Sequence, residues 1–240
     1  MADSGKALAD TPPPGPPAPD RPGRSSARDR VERAVREALL SGRFVPGRSV
    51  TLRGLAQDLG VSPMPVREAV RSLAAGQALE IRANGRIQVP TMTAERLAEL
   101  LKARLLLEPE LALAAGARLG ARDADVLRRI DDRVDDSLRG GDAETYMREN
   151  FAFHFYIYRA AGSEVLLPLV ESLWLQFAPF MRTVYGRVGT AALEDHHKEA
   201  IEAVRAGDAN ALRAAVAGDI RCGMDLLDEG GALCAAGAAD

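Results

Sequence analysis

Apolar positions in the first third of the chain fall in short stripes of helical period. Between Ala27 and Leu40, Val31, Val35 and Leu39 recur four apart and mark one face of a helix that Ser25 or Ser26 is placed to cap. Ser41-Gly42 ends it, and Pro46-Gly47 makes a turn. Thr51 is an N-cap for a short second helix through Leu59, with Leu52, Leu55, Ala56 and Leu59 inward and Gly60 as its stop. Ser62 caps a third helix with Pro63 at its first position and Pro65 still in its first turn, both places where a missing N–H costs little. Val66, Ala69, Val70 and Leu73 form the buried stripe of that helix. The segment Ala78–Val89 then has two strand-like runs around Asn84-Gly85, a hairpin signal. Two helices across a Gly-containing tight turn, followed by a hairpin, predict a winged helix-turn-helix over residues 27–92.

From Thr93 onward the pattern is helix after helix: Thr93–Leu119, Ala121–Arg139, Ala143–Ala160, Glu164–Val184, Ala191–Arg205 and Ala209–Leu227. Breaks are expected at Gly140-Gly141, Gly162-Ser163, Gly186 and Gly207-Asp208. The predicted fold is mainly α, a winged helix-turn-helix with a small β-hairpin wing followed over 93–228 by an all-α bundle of about six helices. Residues 1–26 carry seven of the fourteen prolines and read as a disordered tail. The Gly/Ala-rich stretch 229–240 reads as a flexible end.

Composition agrees with helices packed on helices, because Ala and Leu dominate and aromatics are only 5%. Two cysteines, Cys222 and Cys234, make neither a disulfide framework nor a zinc motif and are expected to be reduced thiols. No apolar run approaches the roughly 18 residues of a membrane span and no secretory pattern opens the chain, so a cytoplasmic protein is expected. The net charge of −3 conceals a division: residues 27–92 hold 11 Arg/Lys against 6 Asp/Glu, and residues 93–240 hold 17 against 25. A basic segment joined to an acidic one leaves room for a phosphate-binding surface.

The basic segment places its chemistry where DNA reading requires it. Ser62, Met64 and Arg67 lie on the early turns of the third helix, with Arg71 one turn on, and the early turns of a recognition helix meet base edges. The planar fork of arginine matches guanine or phosphate acceptors bidentately. Arg53 opens the second helix within reach of the backbone, and Gly85 and Arg86 sit at the wing tip. The stretch Leu55-Ala56, Leu59-Gly60-Val61-Ser62-Pro63-Met64-Pro65-Val66-Arg67-Glu68-Ala69-Val70 and Leu73, preceded by Gly42 and Pro46-Gly47, closely resembles the GntR family of bacterial transcription regulators. The resemblance covers about 60 residues and implies that Arg53, Ser62, Met64, Arg67 and Gly85 match DNA-touching positions. Many members have Arg where this chain has Pro63, so one contact to base or phosphate is missing here.

The C-terminal part resembles, more loosely, the FCD ligand-binding domain of the FadR-type branch, through Arg104-Leu-Leu-Leu-Glu108, Phe153-His154 and His197 followed by Gly207-Asp208. Many such domains hold a divalent metal with a carboxylate and three histidines and recognise small organic acids. Asn150 and His154 are four apart and share one helix face; the family usually has Asp at the first of these positions. His197 matches the next histidine, its neighbour His196 points elsewhere, and the last family histidine falls on Asp219. The resemblance thus implies Asn150, His154, His197 and Asp219 as a ligand set for zinc, manganese or nickel. Without metal, the same polar residues are expected to bind the effector directly. Arg104 is the candidate clamp for an effector carboxylate, its bland alternative being an ion pair with Glu108.

These readings together predict a homodimeric repressor, not an enzyme, that binds palindromic operator DNA under the control of a small carboxylate. A metal-dependent enzyme built on His154 and His197 lacks a convincing general base and leaves the DNA-binding half without purpose. A constitutive architectural protein with a lost sensor is the third reading.

Overall fold

The computed structural model describes residues 27–188 and 196–229. The two predicted tails therefore lie outside the described residues, except Glu229, as do the caps Ser25 and Ser26. The elements run α1 (Ala27–Leu40), α2 (Leu52–Asp58), α3 (Pro63–Ala75), β1 (Glu80–Ile81), β2 (Ile87–Gln88), α4 (Ala94–Gly116), α5 (Ala121–Gly140), α6 (Ala143–Ala160), α7 (Leu166–Val188), α8 (His197–Ala206) and α9 (Ala209–Glu229). The fold is mainly helical, with one small antiparallel hairpin between its two parts.

In the N-terminal unit, α1 packs on α3 and α2 on α3. Their apolar stripes close a small core of Val31, Val35, Leu39, Leu55, Val66, Val70 and Leu73. Thr51 Oγ1 accepts from Gly54 N–H at 3.0 Å and caps α2 as expected. Gly60, at φ +63°, turns the chain left-handed between α2 and α3, a conformation that costs Gly little. Ser62 occupies the N-cap of α3 with extended dihedrals, but its hydroxyl makes no capping bond, so the sequence expectation is met in position only. The hairpin pairs Glu80 with Gln88 and Ile81 with Ile87, and Val50 bridges to Ile87. At its tip Gly85 alone is left-handed: Gly85 N–H donates to the Arg82 carbonyl, and Asn84 Oδ1 accepts from Arg86 N–H at 3.0 Å.

The bundle comprises α4 to α9, with α4 against α9, α5 against α6 and α8, and α7 against α4 and α6. Trp174, Phe153, Phe155, Tyr158, Leu111 and Ile201 are buried at its centre. Gly116, at the end of α4, lets α9 approach closely: a Cβ there would lie 2.5 Å from Ala209 Cβ. The largest differences from the sequence reading fall at the end of α7 and the start of α8. The helix expected to stop at Gly186 continues to Val188, and the one expected from Ala191 is seen from His197, since 191–195 lie outside the described residues. An isolated Gly lowers helix stability by only about 1 kcal/mol, too little to end a helix held elsewhere along its length. No described helix is long and apolar enough to cross a membrane.

The two parts touch along α1 and α7, where Arg43 pairs with Glu144 of α6 and Arg96 of α4 reaches both Gln77 and Gln176.

Candidate functional sites

One face of the N-terminal unit carries the residues expected to read DNA. Val66, Ala69, Val70 and Leu73 turn inward, which forces Ser62, Met64, Arg67 and Arg71 outward on α3. All four are exposed, and Met64 keeps 62% of its surface in solvent, which is high for a large apolar side chain. Arg53 is exposed on the first turn of α2. Gly85 and Arg86 are exposed at the wing, and Arg86 Nη1 donates to Ser49 Oγ at 3.3 Å, which steadies the tip.

Inside the bundle, a cavity of about 40 Å³ is lined by Arg104, Tyr146, Asn150, His154, Trp174, Phe177, Met181, Asp219, Cys222 and Gly223. It therefore collects four of the five sensing residues chosen from sequence, and the fifth, His197, stands behind His154. His154 Nε2 lies 3.1 Å from Asp219 Oδ2, His197 Nε2 is 3.4 Å from His154 Nε2, and His197 Nε2 is 3.9 Å from Asp219 Oδ1. One donor atom from each of the three residues fits within 4.8 Å of the others. His196, by contrast, faces Glu199 and Cys222.

The hydrogen bonds around this group decide where the protons sit. His197 Nδ1 is 3.0 Å from Asp131 Oδ1; both residues are buried, and a carboxylate only accepts, so Nδ1 carries the proton. Tyr158 O–H donates to Glu108 Oε2 at 2.7 Å, so its oxygen accepts from His154 Nδ1–H at 3.2 Å. Burial, then the nearby Glu108 charge, pushes the Tyr158 hydroxyl well above its ordinary pKa and keeps it a donor. With the Nδ1 atoms taken up by Tyr158 and Asp131, the two Nε2 atoms face each other and Asp219. Burial raises the Asp219 pKa, but the charge and hydrogen bond of His154, with His197 and Arg104, outweigh it and hold the carboxyl well below the usual range. This cluster of nitrogen and oxygen donors suits a divalent cation, and the spacings match adjacent ligands about 2.1 Å from a common centre. The residues fit a divalent metal on donor chemistry and on outer partners: Asp131 and Tyr158 fix both imidazoles in the metal-binding tautomer. Asn150, one turn before His154, lines the cavity beside them.

Arg104 meets both of its sequence readings at once. Nε and Nη2 donate to Glu108 at 2.6 and 3.1 Å, so the ion pair with Glu108 is present, yet the residue is buried and lines the cavity. Its guanidinium carbon lies 3.9 Å from the Phe177 ring centroid and 5.0 Å from that of Trp174. Among the described residues its Nη1 edge makes no hydrogen bond. Glu108 Oε2 also accepts from Trp174 Nε1 at 3.1 Å. Sequence reasoning missed Asp131 as the orienting partner of His197. The signal was there: Asp131 sits within the apolar stripe Leu127, Ile130, Val134 of α5, where a carboxylate needs a reason.

The profile of the FCD domain matches residues 99–221, and that of the bacterial regulatory proteins of the gntR family matches residues 27–89. In sequence the chain is 28% identical over 167 residues to the HTH-type transcriptional regulator McbR of Escherichia coli (strain K12), covering 70% of this chain and 76% of that protein. It is 26% identical over 189 residues to the probable D-xylose utilization operon transcriptional repressor of Paenarthrobacter nicotinovorans, covering 77% and 81%. The solved structure of E. coli McbR/YncC superposes with a TM-score of 0.79 at 26% identity, over 85% of this chain and 98% of that one. The chain belongs to the gntR family of bacterial transcription regulators and carries an FCD domain behind its helix-turn-helix.

Proposed function

We propose that this regulator is a homodimeric, operator-binding repressor whose DNA affinity is set by a small carboxylate bound in the FCD cavity beside a divalent ion. The observation that carries the reading is the buried convergence of His154 Nε2, His197 Nε2 and Asp219 next to the Nη1 edge of Arg104. His154, His197 and Asp219, with Asn150 beside them, would hold zinc, manganese or nickel; a bound ion supplies open positions for a carboxylate oxygen. Arg104 keeps its Nε side on Glu108 and offers its free edge to the same carboxylate, stacked on Phe177. Relatives named as repressors of sugar and gluconate operons favour repression over activation. Dimerisation matches the two-fold symmetry of palindromic sites.

The test uses the full chain and a duplex that it selects from a randomised library. Binding is expected to weaken steeply with salt. With zinc present, one member of a panel of short mono- and dicarboxylic acids should shift the operator affinity by about 5–150-fold. No selected duplex, or an affinity that no acid changes, would remove this reading.

A further inference from the structure

Helix α7 has two faces with different partners. Trp174 and Phe177 turn into the cavity and flank the Arg104 guanidinium, and Trp174 Nε1 donates to Glu108. Gln176, between them in sequence, meets the junction with the DNA-binding unit instead. Its Oε1 accepts from Arg96 Nη2 at 2.9 Å, and the same Nη2 donates to the Gln77 carbonyl at 2.9 Å. One turn earlier on α7, Ser172 Oγ donates to the Gly76 carbonyl at 3.5 Å.

Gly76 and Gln77 are the two residues that follow α3, the recognition helix. Terminal carbonyls of a helix lack intrahelical partners and carry the negative end of its dipole, so a guanidinium there is favourable. Gln77 is left-handed at φ +59°, the sole non-Gly residue so among those described, and its carbonyl is the one that Arg96 holds. Arg96 is itself fixed from behind, because its N–H donates to the N-cap Thr93 Oγ1 at 3.2 Å. Beside these bonds lies an open groove of about 370 Å³ between Leu100 and Ala103 of α4 and Leu173 of α7. At this corner Gly76 and Gln77 are tied to α4 and α7 by polar bonds.

We propose that Arg96 is the positioning residue that sets the recognition helix against the sensing bundle, carrying displacement of Trp174 and Phe177 through Gln176 to the end of α3. This rests on reading the Arg104–His154 cavity as the sensing site, but its test uses neither metal nor effector, so the two can fail separately. Phe177→Leu perturbs the cavity side of α7 in the full chain, and amide hydrogen exchange reads the result. Exchange at Gly76–Leu79 should rise about fivefold, the ratio expected for one lost hydrogen bond of ordinary net strength. In Arg96→Met and Gln176→Leu backgrounds, exchange there is already raised and Phe177→Leu adds nothing. Arg96→Lys, which keeps a nitrogen between the two oxygens, restores the response. Protection at Val66–Val70 reports that each variant is folded; if Arg96→Met is not, Gln176→Leu carries the same comparison. The proposal is overturned if Phe177→Leu leaves Gly76–Leu79 unchanged, or raises it by the same factor with and without Arg96.

Discussion

His154 and His197 face each other through their Nε2 atoms at 3.4 Å, while their Nδ1 atoms are engaged by Tyr158 and Asp131. Asp219 lies on the same side, 3.1 Å from His154 Nε2, so three donor groups converge on one point.

Asp131 orients His197 without touching the cavity, so its loss should weaken metal binding and leave the ligand count intact. Asp131→Asn is expected to lower zinc affinity by about 10–100-fold. Calorimetric titration of the apo-protein measures it, and an unchanged affinity would show that the His197 tautomer is set by something else.

The DNA face separates two kinds of arginine. Arg67 projects from an early turn of α3, so Arg67→Ala should cost about 1–3 kcal/mol at one base position and relax preference there. Arg53, exposed on the first turn of α2, is expected to meet the DNA backbone, so Arg53→Ala should weaken all duplexes alike and reduce the salt slope by about 1. Anisotropy titrations on selected and mismatched duplexes, at several salt concentrations, distinguish the two. Equal losses on both duplexes for Arg67→Ala would contradict the assignment.

Gly116 marks the closest approach of α4 and α9, with Ala209 Cα 2.7 Å from where a Cβ would stand. Gly116→Ala should destabilise by about 1–3 kcal/mol through overpacking. Gly140, with nothing within 4 Å, should accept Ala with a gain of about 0.5–1 kcal/mol. Urea unfolding of both variants checks the pair, and the signs should be opposite.

Tyr156 O–H donates to Asp123 Oδ1 at 2.7 Å, tying α6 to the start of α5. This bond, with the Gly120 N–H, lowers the Asp123 carboxyl below its ordinary 3.8. Burial, then the bond to Asp123, raises the Tyr156 hydroxyl to about 12. The depressed acid stabilises above its unfolded pKa and loses this as pH falls through its folded one. The raised phenol stabilises below its ordinary 10.0 and loses this as pH rises towards 12. The Tm difference between wild type and Tyr156→Phe should be flat in the neutral range and shrink at both extremes. A difference independent of pH would mean that the bond contributes nothing.

Much of this was legible in the chain. Stripes at Val31/Val35/Leu39 and Val66/Val70/Leu73 fixed the head helices because each has a single buried face. Gly186 does not end α7, because one glycine weakens a helix by only about 1 kcal/mol while Val170, Trp174, Phe177 and Met181 anchor it in the core. His154 and His197 were found through family spacing. Their partners Asp131 and Tyr158 were not, since orienting bonds join residues on different helices, or serve a neighbour whose role must be known first.

The most direct test is the metal content of untagged protein purified without chelators, beside His154→Ala. About one equivalent of a divalent metal is expected in the wild type, lost in the variant while the helical circular dichroism is retained. Wild-type protein with no metal above background, even after incubation with zinc, manganese and nickel, would contradict it.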